Sequence, residues 1–247
     1  MIPEKFGPSI LPPLLNEVFG KRKDLTRLGE CLYRLEDNYQ CRPLGNRIAM
    51  VLTGPTAAGK DTVRDRLSPD LCFPFTTCTT RPVRQSELIN DPYHRLSEAE
   101  FLTVKERDGF FETNFYSGNW YGGRLADVTD IYNRGLVPVF RPDTQGAANY
   151  LAMARQGLPP FNDIELLVVF LLPPTWQVLE KRLYERDVLP FINTDNLDVE
   201  ISRYQDRLII ARKEISWACQ AHYVVVNEQD NIHKAVAAVE KILSLFA

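Results

Sequence analysis

From Arg47 to the C-terminus, short apolar runs alternate with longer stretches in which apolar residues recur every three or four positions. The runs Ile48–Thr53, Phe73–Thr77, Val137–Arg141, Leu166–Leu172 and Tyr223–Val226 read as strands. Leu166–Leu172 carries no polar side chain, as a central strand buried on both faces requires. The helical stretches are Ser97–Arg107, Asp127–Arg134, Thr144–Arg155, Thr175–Arg186, Asp198–Trp217 and Ile232–Leu245. The first opens on a capping box of Ser97 and Glu100, the second stops at Gly135, and the last gathers Ala235, Val236, Val239, Ile242 and Leu243 on one face. Strand–helix alternation of this kind predicts an α/β fold, a parallel central sheet layered between helices. The alternation breaks up to residue 124, where Phe110–Phe115 and Trp120–Gly122 are short β-like pieces of an inserted subdomain at about 77–124.

Residues 1–46 follow a different pattern. Leu25, Leu28, Leu32 and Leu35 stand at helical spacing, which predicts an amphipathic helix. Through residues 21–40 it would pack on its own domain or on a protein partner.

Composition narrows the class. With 247 residues, 45% hydrophobic and 25% charged, the chain suits one sizeable soluble domain with an appendage. A net charge of −3 argues against wrapping a nucleic-acid polymer, which wants a basic face. The five cysteines are odd in number, no two form C-x-x-C, and with three histidines they compose no zinc motif. Reduced thiols in a cytoplasmic protein account for them. The run Leu166–Leu172 is too short to cross a bilayer, and Met1–Pro8 lacks the basic start and apolar stretch of a secretory leader. A cytoplasmic protein without membrane contact is expected.

Chemistry enters at Gly54-Pro-Thr-Ala-Ala-Gly-Lys-Asp61, between the first strand and a helix opening at Asp61–Leu67. Gly54, Gly59 and Lys60 match the phosphate-binding loop G-x-x-x-x-G-K-[ST]. Backbone N–H groups across Gly54, Pro55, Thr56, Ala57, Ala58 and Gly59 can close on phosphate oxygens, with Lys60 reaching the β- and γ-phosphates. The hydroxyl that ligates Mg²⁺ in this motif is absent. Asp61 stands there, followed by Thr62. A nucleotide-phosphate site on a P-loop NTPase three-layer fold is predicted.

Further on, Thr77-Cys-Thr-Thr-Arg-Pro-Val-Arg84 places Arg81 and Arg84 three residues apart, with Tyr93 nearby, a set able to clamp a second phosphate. Then come Phe110-Phe-Glu112 and Asn119-Trp-Tyr-Gly-Gly123. In this order, and with Asp143-Thr-Gln-Gly146, Lys181–Arg186 and Val226-Asn227 downstream, residues 47–247 resemble the guanylate kinase family.

The resemblance implies an ATP- and Mg²⁺-dependent kinase converting GMP or dGMP to the diphosphate, with the insertion holding the acceptor and a helical lid at about 187–203. It implies that Arg81, Arg84, Tyr93 and Tyr121 hold the acceptor phosphate. Glu112 and Thr77 would meet guanine, whose adjacent N–H donors suit a carboxylate, and Asp143 belongs to the same acceptor site. Lys60, Arg186 and Arg207 would neutralise the transferring phosphoryl group, and Asn227 would contact the donor adenine. Arg182 is a weaker candidate beside Arg186.

Four positions depart from the family pattern. Asp61 replaces the metal-ligating hydroxyl, and Arg141 stands in place of the first of two aspartates. Gly123 replaces a serine or threonine, and the segment to Arg207 is about ten residues longer, with Val188-Leu-Pro-Phe-Ile-Asn-Thr194. One reading has Asp61 as a relocated Mg²⁺ ligand supplying the carboxylate lost at Arg141. Two alternatives share the fold: a kinase acting on another nucleotide or on ribose 1,5-bisphosphate, and a weakly catalytic module that binds protein partners through the acceptor pocket.

Overall fold

The apolar run at 164–172 becomes β10 (Ile164–Leu172), the middle strand of a seven-stranded sheet. The computed structural model describes residues 12–20, 22–38, 47–83, 87–89, 91–116 and 118–246. Beside β10 lie β3 (Arg47–Thr53) and β11 (Tyr223–Val226), both parallel to it; β9 (Val137–Phe140) and β4 (Cys72–Pro74) extend the parallel sheet beyond β3. Every residue from Leu166 to Leu172 is buried, so helices cover both faces, the three-layer arrangement expected. The cover comes from α2 (Lys60–Arg64), α4 (Leu125–Asn133), α5 (Thr144–Arg155), α6 (Trp176–Asp187), α7 (Leu197–Ser216) and α8 (Ile232–Ser244). None is long and apolar enough to cross a membrane.

The expected strand Phe73–Thr77 is two strands in two sheets. β4 ends at Pro74, with the Phe75 N–H giving a last bond to Val139 O at 2.9 Å, and β5 (Thr77–Thr79) begins the insertion. There β6 (Tyr93–Arg95), β5, β8 (Asn119–Arg124) and β7 (Phe110–Tyr116) form a mixed sheet in that order, with β5 and β6 parallel. α3 (Glu98–Glu106) starts on the predicted capping box, in which Ser97 and Glu100 satisfy each other's backbone N–H.

The N-terminal helix at Leu25–Leu35 is not formed. Those residues make a hairpin of β1 (Leu25–Arg27) and β2 (Leu32–Leu35), and the helix in this region, α1 (Pro13–Phe19), lies earlier. β2 runs antiparallel along the outer edge of β11, pairing Tyr223 with Arg34 and Val225 with Leu32. A spacing of three and four fits a helix on paper. The exposed N–H and C=O row of β11 offers these residues a better arrangement, and the turn closes where Leu28 N–H donates to Leu32 O at 2.8 Å. Leu32, Tyr33 and Leu35 are thereby buried, so the extension packs on its own domain.

Candidate active site

β3 delivers the chain into the phosphate loop, whose backbone is possible only for small residues. Gly54 has φ +142, and a Cβ there would lie 2.4 Å from the Leu171 carbonyl oxygen; at Gly59, φ +93, it would lie 2.4 Å from Asn227 Nδ2. The loop is thus wedged against the ends of β10 and β11. A cleft of about 750 Å³ opens over it, lined by Thr56 to Thr62, Arg141, Arg182, Arg186 and Asn227. Lys60 lies beneath, its Nζ donating to the carbonyls of Gly54 at 2.6 Å and Pro55 at 2.9 Å. Burial pushes its pKa down to about 8.

Asn227 is buried; its amide donates to Ala58 O at 2.8 Å, and its Oδ1 has no partner among the described residues. Arg182 bonds the carbonyls of Asn227 and Glu228, and its Nη1 is likewise buried without a partner. Two unpaired polar atoms beside the cleft are what a ligand with its own donors and acceptors would satisfy.

The lid arginines meet on one carboxylate. Asp187, only 6% exposed, accepts from Arg186 at 2.7 and 3.0 Å and from Arg207 at 2.6 Å. Burial works against its charge, but the two guanidinium groups prevail and hold its pKa below the ordinary value. Arg186 also reaches the phosphate loop, donating to Thr56 Oγ1 at 3.2 Å, whereas Arg207 does not line the cleft. Glu214 on α7 accepts the Thr56 backbone N–H at 3.1 Å, and burial raises its carboxyl. It is a helix-face glutamate 158 residues from its partner, with nothing in the sequence to mark it.

Thr77, Tyr93, Glu112, Tyr121 and Asp143 line a second cavity of about 320 Å³ between the insertion and the sheet. Glu112, on β7, points inward and accepts the hydroxyl of Tyr150 from α5. Burial raises its pKa, while the tyrosine hydrogen bond opposes that rise. The rings of Phe111, Phe140 and Phe161 surround Tyr150 at centroid distances of 5.4 to 5.9 Å, which explains the dry setting. In sequence Tyr150 is one more apolar-face residue of a helix. Asp143 caps α5, its Oδ1 accepting Gly146 N–H at 2.8 Å.

One expected phosphate ligand, Arg81, is engaged elsewhere. Arg84 lies outside the described residues. Arg81 does not line the cavity: its Nη2 contacts both oxygens of Glu87, at 2.6 and 2.8 Å, and its guanidinium lies 5.4 Å from the Tyr93 ring centre.

The departures have structural counterparts. A Cβ on Gly123 would fall 2.3 Å from Phe111 Cζ, so the phenyl ring occupies the room a serine would need. Asp61 Oδ1 is 2.8 Å from Arg141 Nε and 3.4 Å from Arg64 Nη1. The carboxylate expected to meet a metal therefore faces two guanidinium groups. Among the described residues, no three His, Cys, Asp or Glu side chains are grouped to hold a metal ion. Asp61, beside Arg141 and Arg64, does not fit a side-chain ligand for Mg²⁺.

The phosphate-loop cleft over Lys60 and the second cavity thus meet at Arg141. A family model described as guanylate kinase matches residues 46–245. The guanylate kinase of Lawsonia intracellularis is 37% identical over 193 residues, 76% of this chain and 79% of its own length. That of Deinococcus radiodurans is 32% identical over 196 residues, 79% of this chain and 74% of its own. The crystal structure of guanylate kinase from Anaplasma phagocytophilum shares the fold, with a TM-score of 0.51 at 21% identity over 82% of this chain and 87% of that one.

Proposed function

The chain belongs to the guanylate kinase family, and we propose that its two cavities are the donor and acceptor halves of a phosphotransferase carrying the γ-phosphoryl group of ATP to GMP or dGMP. The observation that carries this reading is Glu112: a half-buried carboxylate facing the acceptor cavity, which joins the phosphate-loop cleft at Arg141. Guanine offers two adjacent N–H donors on its Watson–Crick edge and adenine does not, so an ionised Glu112 selects the base.

The protein has little covalent chemistry to perform. The loop backbone and Lys60 hold the donor phosphates, and Tyr93 and Tyr121 hold the acceptor phosphate in line. Arg186 and Arg207, oriented by Asp187, cancel charge on the transferring group. Binding of both nucleotides and closure of the 187–203 lid exclude water that would otherwise hydrolyse ATP. Mg²⁺ bound to the ATP phosphates would supply neutralisation of their charge, without a side-chain ligand from this chain. No step is assigned to a metal held by side chains. Residues 47–247 act as the kinase domain, with the preceding extension completing the sheet.

The test is a coupled ADP-release assay with ATP and Mg²⁺ against GMP, dGMP, AMP, CMP, UMP and ribose 1,5-bisphosphate. Turnover confined to GMP and dGMP, lost in Lys60→Ala and Glu112→Ala, is expected. Turnover on another acceptor would replace the substrate. Silence in a folded protein that still binds GMP would replace the enzyme with a binding module.

A further inference from the structure

Arg141 follows β9 directly and is the one described residue that lines both the nucleotide cleft and the acceptor cavity. Its Nε edge faces Asp61 at 2.8 Å, and its side chain remains 31% exposed. Close as it is to Asp61, that Nε makes no hydrogen bond and is buried without a hydrogen-bond partner among the described residues. Its charge helps to depress the pKa of Lys60, so the two cations converge on one space.

Resting on the ATP:GMP reading above, we propose that Arg141 is a catalytic residue whose guanidinium bridges the γ-phosphoryl group of ATP and the phosphate of the acceptor, with Asp61 as the residue that positions it. A guanidinium is a planar fork: with the Asp61 charge drawing its Nε, it keeps its terminal donors for phosphate oxygens. The cavities join at this side chain. During transfer, an acceptor phosphate oxygen bonds to Pγ while the bond from Pγ to the β–γ bridging oxygen breaks, and its electron pair leaves with ADP. Negative charge on the equatorial oxygens peaks at that junction, where an arginine stabilises it most. The pairing also explains why an aspartate is tolerated in a phosphate loop. Alone, Asp61 would repel the triphosphate; beside Arg141 and Arg64 its charge is offset.

The experiment uses the full chain and its Arg141→Ala, Arg141→Lys and Asp61→Asn variants. Steady-state rates with ATP and GMP are measured while Mg²⁺ is titrated. Calorimetry gives affinities for ADP, GMP and an adenosine–guanosine pentaphosphate, a probe that spans both cavities. In Arg141→Ala, kcat should fall about 10²–10³-fold, with each KM changed less than about threefold. The spanning probe should weaken about 10²-fold while ADP and GMP bind nearly as before. Lysine, which keeps the charge and loses the fork, should fall between. Asp61→Asn should lower kcat with the Mg²⁺ requirement unchanged. The assignment is overturned if Arg141→Ala leaves kcat and probe affinity intact. It is equally overturned if Asp61→Asn raises the Mg²⁺ requirement and excess Mg²⁺ restores its rate, the behaviour of a relocated metal ligand. The binding arm needs no turnover, so a chain inactive on GMP would sink the functional reading separately from this one.

Discussion

Raising the pH perturbs one atom at the centre of the site. The Lys60 ammonium sits beneath the phosphate loop, and burial lowers its pKa from the ordinary 10.5 to about 8. Arg141 acts in the same direction, while Glu214, Asp61 and Asp143 oppose it. At pH 9 only about a tenth of the free protein keeps the charge, so ATP should bind about tenfold more weakly than at pH 7, and roughly tenfold more weakly again per further pH unit. Calorimetric titration from pH 7 to 10 measures this directly. In Lys60→Arg the guanidinium stays charged throughout, and the slope should vanish. Stability moves the opposite way. The folded pKa is depressed, so between pH 8 and 10.5 the unfolded chain holds a proton that the folded chain has lost. Stability therefore rises with pH across that window, by about 3 kcal/mol in full. Lys60→Met, free of the buried charge, should be more stable than wild type at pH 7, less whatever is lost with the bonds to Gly54 O and Pro55 O. That advantage should shrink as pH rises. A wild-type affinity for ATP that is flat from pH 7 to 10, or a slope that persists in Lys60→Arg, would refute the reasoning.

Restoring the family's hydroxyl with Gly123→Ser should destabilise the fold by about 1–3 kcal/mol in urea unfolding, because the new Cβ meets the Phe111 ring at 2.3 Å; an unchanged midpoint would show that the ring moves freely. Asp187→Asn keeps the shape of the clasp and removes its charge, so Arg186 and Arg207 lose their common partner. kcat should fall about 10- to 100-fold, with nucleotide KM values nearly constant, and rates equal to wild type would free the lid of this residue. Deleting residues 1–38 strips β2 from β11 and removes the buried Leu14, Leu15, Phe19, Leu32, Tyr33 and Leu35. At about 1.5–3 kcal/mol per large side chain the loss rivals total stability, so the truncated chain should melt earlier and aggregate through the bared strand, as thermal scans and size exclusion would report.

What could be read from the sequence was whatever leaves a local signature. The helix at Thr144–Arg155 is observed with the same ends, and β10 follows from an apolar run that only a doubly covered strand tolerates. The phosphate loop was legible because its backbone demands glycine at Gly54 and Gly59. Thr77, Tyr93, Glu112, Tyr121 and Asp143 were legible by their order along the chain, and they do line one cavity. The N-terminal leucines misled because three-and-four spacing is also met by a hairpin whose ends pair, Leu25 opposite Leu35. Only the open edge of β11 decides between them, and it lies far along the chain. Tyr150, Asp187 and Glu214 were missed for a related reason. Their side chains are ordinary for their helices, and their chemistry comes from the groups they meet across the fold.

The same distance effect changes how the departures should be weighed. Taken singly, Asp61 is a loss of a metal ligand, Arg141 a loss of a carboxylate and Gly123 a loss of a hydroxyl. In three dimensions the first two are one event: 80 residues apart in sequence, they form an ion pair at the point where the two cavities join. Gly123 is half of another, since the Phe111 ring fills the room its side chain would take. Compensation of this kind separates a re-engineered active site from a decaying one. Decay would leave unpaired charges and empty volume, because nothing would select the second change once the first had abolished function. Here Asp61 faces its opposite charge, and the loop beneath it still holds Lys60 in reach of phosphate. The ion pair and the intact lysine therefore argue together for the proposed phosphotransferase, with Arg141 taking part in it.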